Sequence, residues 1–270
     1  MPANLSYNYL EDYTIDLQRD GRYSFSIEEI RAKLNVNDEA LKKSIQRLSK
    51  KGKILSVRKG FYLIIPPEYS YNKVLPPMLF IDQLMKYLKK PYYVGLLNAA
   101  ALFGAAHQQP QEFFVITVKP PMRFISKNNI KVNFIIKLKV EETYLINKKT
   151  DTGYIRVSCP ELTAIDLLIY EERVGGLHRC FTILNELSEE MKPAVLKQVI
   201  QKDISVRILQ RLGYLLEMIK PDSKLSIAIY DVLKDRKFRY IPLKTGKSSK
   251  GFSFDKRWKI IKNFNPESDL

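Results

Sequence analysis

The chain has 270 residues, 45% of them hydrophobic, which is enough for two modest domains or one large one and too apolar for wholesale disorder. Its formal net charge of +16, with pI ≈ 9.6, favours a polyanionic partner, whether nucleic acid or an anionic membrane surface. No apolar run approaches the roughly 20 residues that span a bilayer, so no membrane segment is expected. The opening MPANLSYNYLEDY lacks an apolar core behind a basic start, so no signal peptide is expected either. Cys159 and Cys180 are the only cysteines and match no metal or redox spacing; two free thiols suit a reducing cytoplasm.

In chain order, Leu10, Tyr13 and Leu17 mark a first amphipathic helix, closed near Asp20-Gly21. Ser26 and Glu29 have capping-box spacing and open a second helix, with Ile27, Ile30 and Leu34 on one face. Asn35-Val36-Asn37 interrupts the pattern, and Asn37 or Asp38 can cap a third helix. Leu41, Ile45 and Leu48 form its apolar stripe, and Gly52 ends it. This layout is a helix-turn-helix. A basic hairpin follows over Lys53 to Ile65, with Arg58-Lys59-Gly60 at its tip, and completes a winged arrangement.

At about 100° per residue, Lys42, Lys43, Gln46, Arg47 and Lys50 share the arc opposite the apolar stripe. That arc reads as cations and an amide without a carboxylate, whereas a merely solvated face usually mixes signs. A helix in the major groove of duplex DNA is the preferred explanation, with Lys and Arg on phosphates and Gln46 and Arg47 reaching base edges. Arg58 and Lys59 would sit over the backbone or minor groove. A helix-turn-helix used for protein interaction is the competing reading.

Pro66-Pro67 ends this first domain, taken as residues 1–67, and residues 68–77 read as a Pro- and Tyr-rich linker. The remainder, 78–270, starts with a helix over Met78 to Leu88. The small residues of YYVGLLNAAALFGAAHQQPQEFFVITV suggest a tightly packed helix, followed by a strand over Glu112 to Val118. Val132 to Leu138 and Tyr154 to Val157 are further strand candidates. Ser158-Cys-Pro-Glu161 repeats the capping-box spacing and opens a helix with Leu162, Ile165, Leu168 and Ile169 towards the core. About three more helices are expected between Gly176 and Leu233, the most regular containing Ile204, Ile208, Leu212, Leu215 and Ile219. Short β segments around Arg239 to Leu243 and Trp258 to Ile261 close the chain. The expected class is α+β: an amino-terminal winged helix-turn-helix and a larger helix-rich domain with a small mixed sheet.

Residues 234–262 carry many Lys and Arg against Asp235 and Asp255 alone, which is either a second cationic surface or a solvated loop. Chemistry is harder to place. Gly246-Lys247-Ser248 lacks the leading glycine of a phosphate loop, because position 241 is Ile241. His107 suits a turn and His178 a helix start. Glu161 and Asp166, five apart, do not share a helical face, and no carboxylate cluster suits a metal. No cofactor, metal or enzymatic activity is expected.

Several stretches together resemble the AbiEi family, the antitoxin half of AbiE abortive-infection systems, classed as type IV toxin-antitoxin systems. They are the winged segment ending in Gly60-Phe61-Tyr62, YYVGLLNAAALFGAAHQQPQEFFV, VSCPELTAIDLL, RLGYLLE, and YIPLKTG with RWKIIKN. The resemblance implies a transcriptional autorepressor that binds inverted repeats in its own promoter. It also implies that the carboxyl-terminal domain opposes a neighbouring nucleotidyltransferase-like toxin, without a stable complex. By position it assigns DNA contact to Lys42, Lys43, Gln46, Arg47 and the wing pair Arg58-Lys59. A nuclease with a DNA-targeting arm and a ligand-sensing regulator remain the alternatives.

Overall fold

Ser26 starts its helix as the sequence requires: its hydroxyl accepts the Glu29 N–H at 3.1 Å, and Glu29 Oε2 accepts the Ser26 N–H at 2.9 Å. In the computed structural model, which describes residues 8–34, 36–69, 75–106, 110–201 and 204–267, many such local signals fix the elements. Asn37 caps the next helix through the Ala40 N–H at 2.7 Å. Gly52, at φ 71°, stops it with a Lys53 N–H to Leu48 carbonyl bond, the wide turn that left-handed glycine permits. Asn35, part of the expected break between the helices, lies outside the described residues, as does His107.

The amino-terminal elements are α1 (Tyr9–Arg19), β1 (Ser24–Ser26), α2 (Ile27–Lys33), α3 (Asp38–Lys50), β2 (Ile54–Arg58) and β3 (Phe61–Ile64). Strand β3 lies between β1 and β2, antiparallel to both. This is the element order of a winged helix-turn-helix. Its core joins Leu10, Tyr13, Leu17, Phe25, Ile30, Leu41, Leu48, Ile54 and Ile64. Phe25 stacks on Tyr62 with ring centroids 5.5 Å apart, and Lys53 on the hairpin salt-bridges Glu11 on α1.

A short 3-10 turn, Pro77–Leu79, leads into α4 (Ile81–Tyr87). Of the expected linker, residues 70–74 lie outside the described residues. Strands β4 (Tyr92–Val94), β5 (Phe113–Val118), β6 (Ile125–Lys127), β7 (Ile130–Lys137), β8 (Leu145–Thr150) and β9 (Gly153–Ser158) build one mixed sheet in the order β6-β7-β5-β4-β9-β8. Strands β5 and β7 run parallel in register from Phe113 opposite Val132 to Val118 opposite Lys137. The sequence pattern marked β5, β7 and β9. It extended β7 to Leu138, which instead leaves the sheet and is 92% exposed.

The helical part comprises α5 (Leu96–Leu102), α6 (Pro160–Ile169), α7 (Leu177–Glu190), α8 (Pro193–Ile200), α9 (Val206–Ile219) and α10 (Lys224–Leu233). Four helices therefore follow Gly176 where about three were expected. Strands β10 (Ile241–Pro242), β11 (Phe254–Asp255) and β12 (Ile260–Ile261) form a small second sheet. Two helix starts depart from expectation. Cys159, not Ser158, caps α6 by accepting the Leu162 N–H at 3.5 Å, while Ser158 bonds Thr163 at 2.7 Å. Glu161 is therefore free of a capping-box role and accepts the Lys192 N–H at 2.7 Å. Helix α6 is buried from Pro160 to Leu168, so no single stripe defines it, and Ile169 points to solvent. In α9 the buried row is Leu209, Leu212, Leu215 and Leu216, and Ile204 precedes the helix.

By contact density the chain forms two compact units: Met1–Tyr93 with Gln111–Val140 and Asn147–Arg156, and Val94–Pro110 with Glu141–Ile146 and Val157–Leu270. Among the described residues, no helix is long and apolar enough to cross a membrane.

Candidate nucleic-acid interface

The outward arc of α3 is built by its own periodicity. With Leu41, Ser44 and Leu48 buried, Lys42, Lys43, Gln46 and Lys50 are left exposed on the other side. Arg47 sits at the edge of that arc, about 100° from Gln46, and is only half-exposed. The structure thus brings together four of the five expected residues of α3 as a solvent-facing strip and turns the fifth aside. The strip is also less uniformly cationic than it read from sequence. Glu39 lies one turn before Lys43, and its carboxylate holds the Lys43 ammonium at 2.8 Å, both side chains being exposed. An acid in the first turn of a helix is favoured by the helix dipole. At this place it also meets any anion that approaches the strip.

The wing behaves differently from a free basic loop. Strands β2 and β3 pair Arg58 with Phe61, leaving Lys59-Gly60 as the turn. Gly60 adopts φ 77°, and a side chain there would also meet the Tyr87 hydroxyl at 2.6 Å. Tyr87 on α4 donates to the Lys59 carbonyl at 3.1 Å and packs its ring 5.3 Å from that of Phe61. The Arg58 guanidinium lies 5.5 Å from the Phe134 ring centroid on β7 and donates to the Arg123 carbonyl. Burial, with the like charge of Arg123, lowers its pKa from the ordinary value, although an arginine stays charged at any physiological pH. Arg58 therefore anchors the wing to the sheet, and the Lys59 side chain is exposed at its tip. No local sequence signal announces this anchor, because Arg58 and Phe134 meet only through the fold.

Several other chemistry-bearing residues make contacts within the fold. Glu171 and Arg211 form an ion pair with each side chain 6% exposed, and Lys244 adds a second cation 3.1 Å from Glu171. Arg211 Nε also donates to the Leu243 carbonyl at 2.9 Å. Asn263 ties down the same loop, donating to the Lys244 carbonyl at 2.9 Å and accepting the Lys244 N–H at 3.0 Å. Burial pushes both the Cys159 and the Cys180 thiol up to about 12, which suits hydrogen-bonded core groups rather than nucleophiles. His178 Nδ1 accepts the Glu267 N–H at 3.1 Å, and its ring packs 4.5 Å from that of Phe264.

Residues 93–218, from the middle of β4 to near the end of α9, match the family model described as the AbiEi antitoxin C-terminal domain. The chain carries an AbiEi antitoxin domain. The buried cap Cys159, the ion-paired Glu171 and the Arg211 that holds it all fall inside this AbiEi region. So do the segments VSCPELTAIDLL and RLGYLLE, whose side chains supply helix caps and core contacts. The chain is also similar to the crystal structure of the RV2827C protein from Mycobacterium tuberculosis, at 15% sequence identity and a TM-score of 0.67. That match covers 94% of this chain and 90% of the other, and at such low identity it bears on the fold. No curated protein matches the chain. The AbiEi domain is an antitoxin domain by family, which fits a part in a toxin-antitoxin pair.

Proposed function

We propose that the protein is the antitoxin of an AbiE-type type IV system and represses its own promoter. The winged helix-turn-helix binds inverted repeats in duplex DNA. The AbiEi domain opposes a nucleotidyltransferase-like toxin encoded beside it, without forming a stable complex. The single observation that carries the DNA reading is the exposed strip Lys42, Lys43, Gln46 and Lys50 on α3, in a winged helix that precedes an antitoxin domain.

In this reading α3 enters the major groove. Gln46 sits mid-strip with an amide able to pair bidentately with adenine, and the lysines hold phosphates on either side. Arg47, at the margin, serves the flanking backbone. Lys59 presents the wing's exposed charge, while Arg58 fixes the wing's direction through Phe134. The formal charge of +16 raises the encounter rate with DNA and makes binding steeply dependent on salt.

Co-expression tests both halves. Cells carrying the neighbouring toxin gene should grow when the full chain is supplied, and a reporter behind the chain's own upstream region should be silenced. Lys42→Ala with Gln46→Ala should release the reporter and leave rescue intact. A chain that neither rescues nor represses would refute the proposal.

A further inference from the structure

The sheet formed by β10, β11 and β12 has two unlike faces. Ile260 is opposite both Ile241 and Asp255, and Ile261 is opposite both Pro242 and Phe254. Successive strand residues point to opposite sides. Ile241 and Ile260 therefore share the inner face, where they are 7% and 0% exposed, with Trp258 at 1%. Pro242, Phe254 and Ile261 share the outer face. Tyr240, two residues before Pro242, and Phe252, two before Phe254, continue that parity. These three rings are 44% (Tyr240), 48% (Phe252) and 53% (Phe254) exposed. Tyr240 and Phe254 meet edge to face, with centroids 5.1 Å apart and planes at 71°.

The surroundings are cationic. Lys237, Arg239, Lys250, Lys256 and Lys262 are exposed in the same segment. Of its two acids, Asp255 is engaged by the Trp258 N–H at 2.8 Å. A cleft of ≈ 370 Å³ beside Ile241 is lined by Arg207, Lys237 and Arg239 together with Phe238 and Gln210.

An apolar protein partner would account for the rings and not for the lysines. Duplex DNA would account for the lysines and not for the rings, because its base faces are stacked inside. Only unpaired strands offer base faces and phosphates together. We propose that this outer face is a binding platform for single-stranded nucleic acid. Bases stack on Tyr240, Phe252 and Phe254, and phosphates run along the flanking Lys and Arg. The platform and α3 belong to different compact units of the chain, so the platform does not depend on the promoter reading.

The test uses the full chain and fluorescence anisotropy. The probes are labelled mixed-sequence RNA and DNA single strands of about 12 nucleotides and a duplex of the chain's own upstream region. Tyr240→Ala and Phe254→Ala should each weaken single-strand binding by about tenfold and leave duplex binding unchanged. Trp258, the only tryptophan, is buried on the inner face, so unchanged emission certifies the fold. Should an alanine variant shift that emission, Tyr240→Leu keeps apolar bulk without a π face and should still lose the single strands. Two results would overturn the proposal: no single-strand binding by the natural chain, or natural single-strand affinity in the folded variants.

Discussion

Gly213 on α9 faces the indole of Trp258 so closely that a β-carbon there would fall inside van der Waals contact with three ring carbons. The slot lets the small second sheet dock its one tryptophan into the helical core. Tyr230 meets the same indole edge to face at 5.7 Å. Gly213→Ala should therefore lower stability by about 1–3 kcal/mol, the usual cost of overpacking a filled core. Chemical denaturation measures it, and Trp258→Leu in the same chain should recover part of the loss. An alanine that leaves the midpoint unchanged would mean the slot has room that its geometry denies.

The Glu171–Arg211 pair makes a sharper demand. Both side chains are 6% exposed, so removing Glu171 strands a buried charge on Arg211, whereas removing Arg211 leaves Glu171 still paired with Lys244. Arg211→Ala should therefore cost less than the about 3–5 kcal/mol of a fully stranded buried charge. Arg211→Lys should recover little of it, because a lysine cannot reach the Leu243 carbonyl and Glu171 in the same forked geometry. Thermal unfolding of the two variants distinguishes a structural pair from a dispensable one. Loss of antitoxin action in either variant should track loss of folded protein.

These two contacts also mark where the sequence stops being readable. The capping box at Ser26 and Glu29, the Asn37 cap and the Gly52 stop are local, and each formed as its spacing implies. The Ser158-to-Glu161 spacing was equally local and misled, because Cys159 was a competing cap one residue on. Strands β4 and β6 are three residues each, too short for alternation to show. Strand β8 runs through NKK, a polar stretch with no strand signature. The strip on α3 was legible from helical period alone, but Glu39 was overlooked as its opening member. The anchoring of Arg58 by Phe134, and of Arg211 by Glu171, depends on residues far apart in the chain that only the fold brings together.

Glu39 gives a third prediction. Its carboxylate must release Lys43 before that ammonium can hold a phosphate, and it repels the phosphate itself. Glu39→Gln should tighten binding to the upstream duplex by about two- to fivefold at low salt. The gain should shrink as ionic strength rises and exposed charges are screened. Weaker binding in the variant would mean Glu39 contacts DNA directly.

The thiols supply a fourth. With both pushed up to about 12, Cys159 and Cys180 carry almost no thiolate near pH 8. Alkylating reagents should leave the native chain unmodified and label both cysteines once denaturant unfolds it. The same upward shift means the neutral thiols support the fold at neutral pH, with that support lost as pH rises from about 9 towards 12. Fast labelling of the folded protein would place one of them in an open site.

The most direct measurement titrates the chain against its own upstream duplex across a range of salt, beside a variant with Lys42→Ala, Gln46→Ala and Lys50→Ala. The natural chain should bind with a steep log-log salt slope. The variant should lose at least tenfold in affinity, and its slope should fall by about 1.8, roughly 0.9 for each lost phosphate contact. Equal affinity and equal slope in the two proteins would contradict the assignment of α3 to the DNA groove.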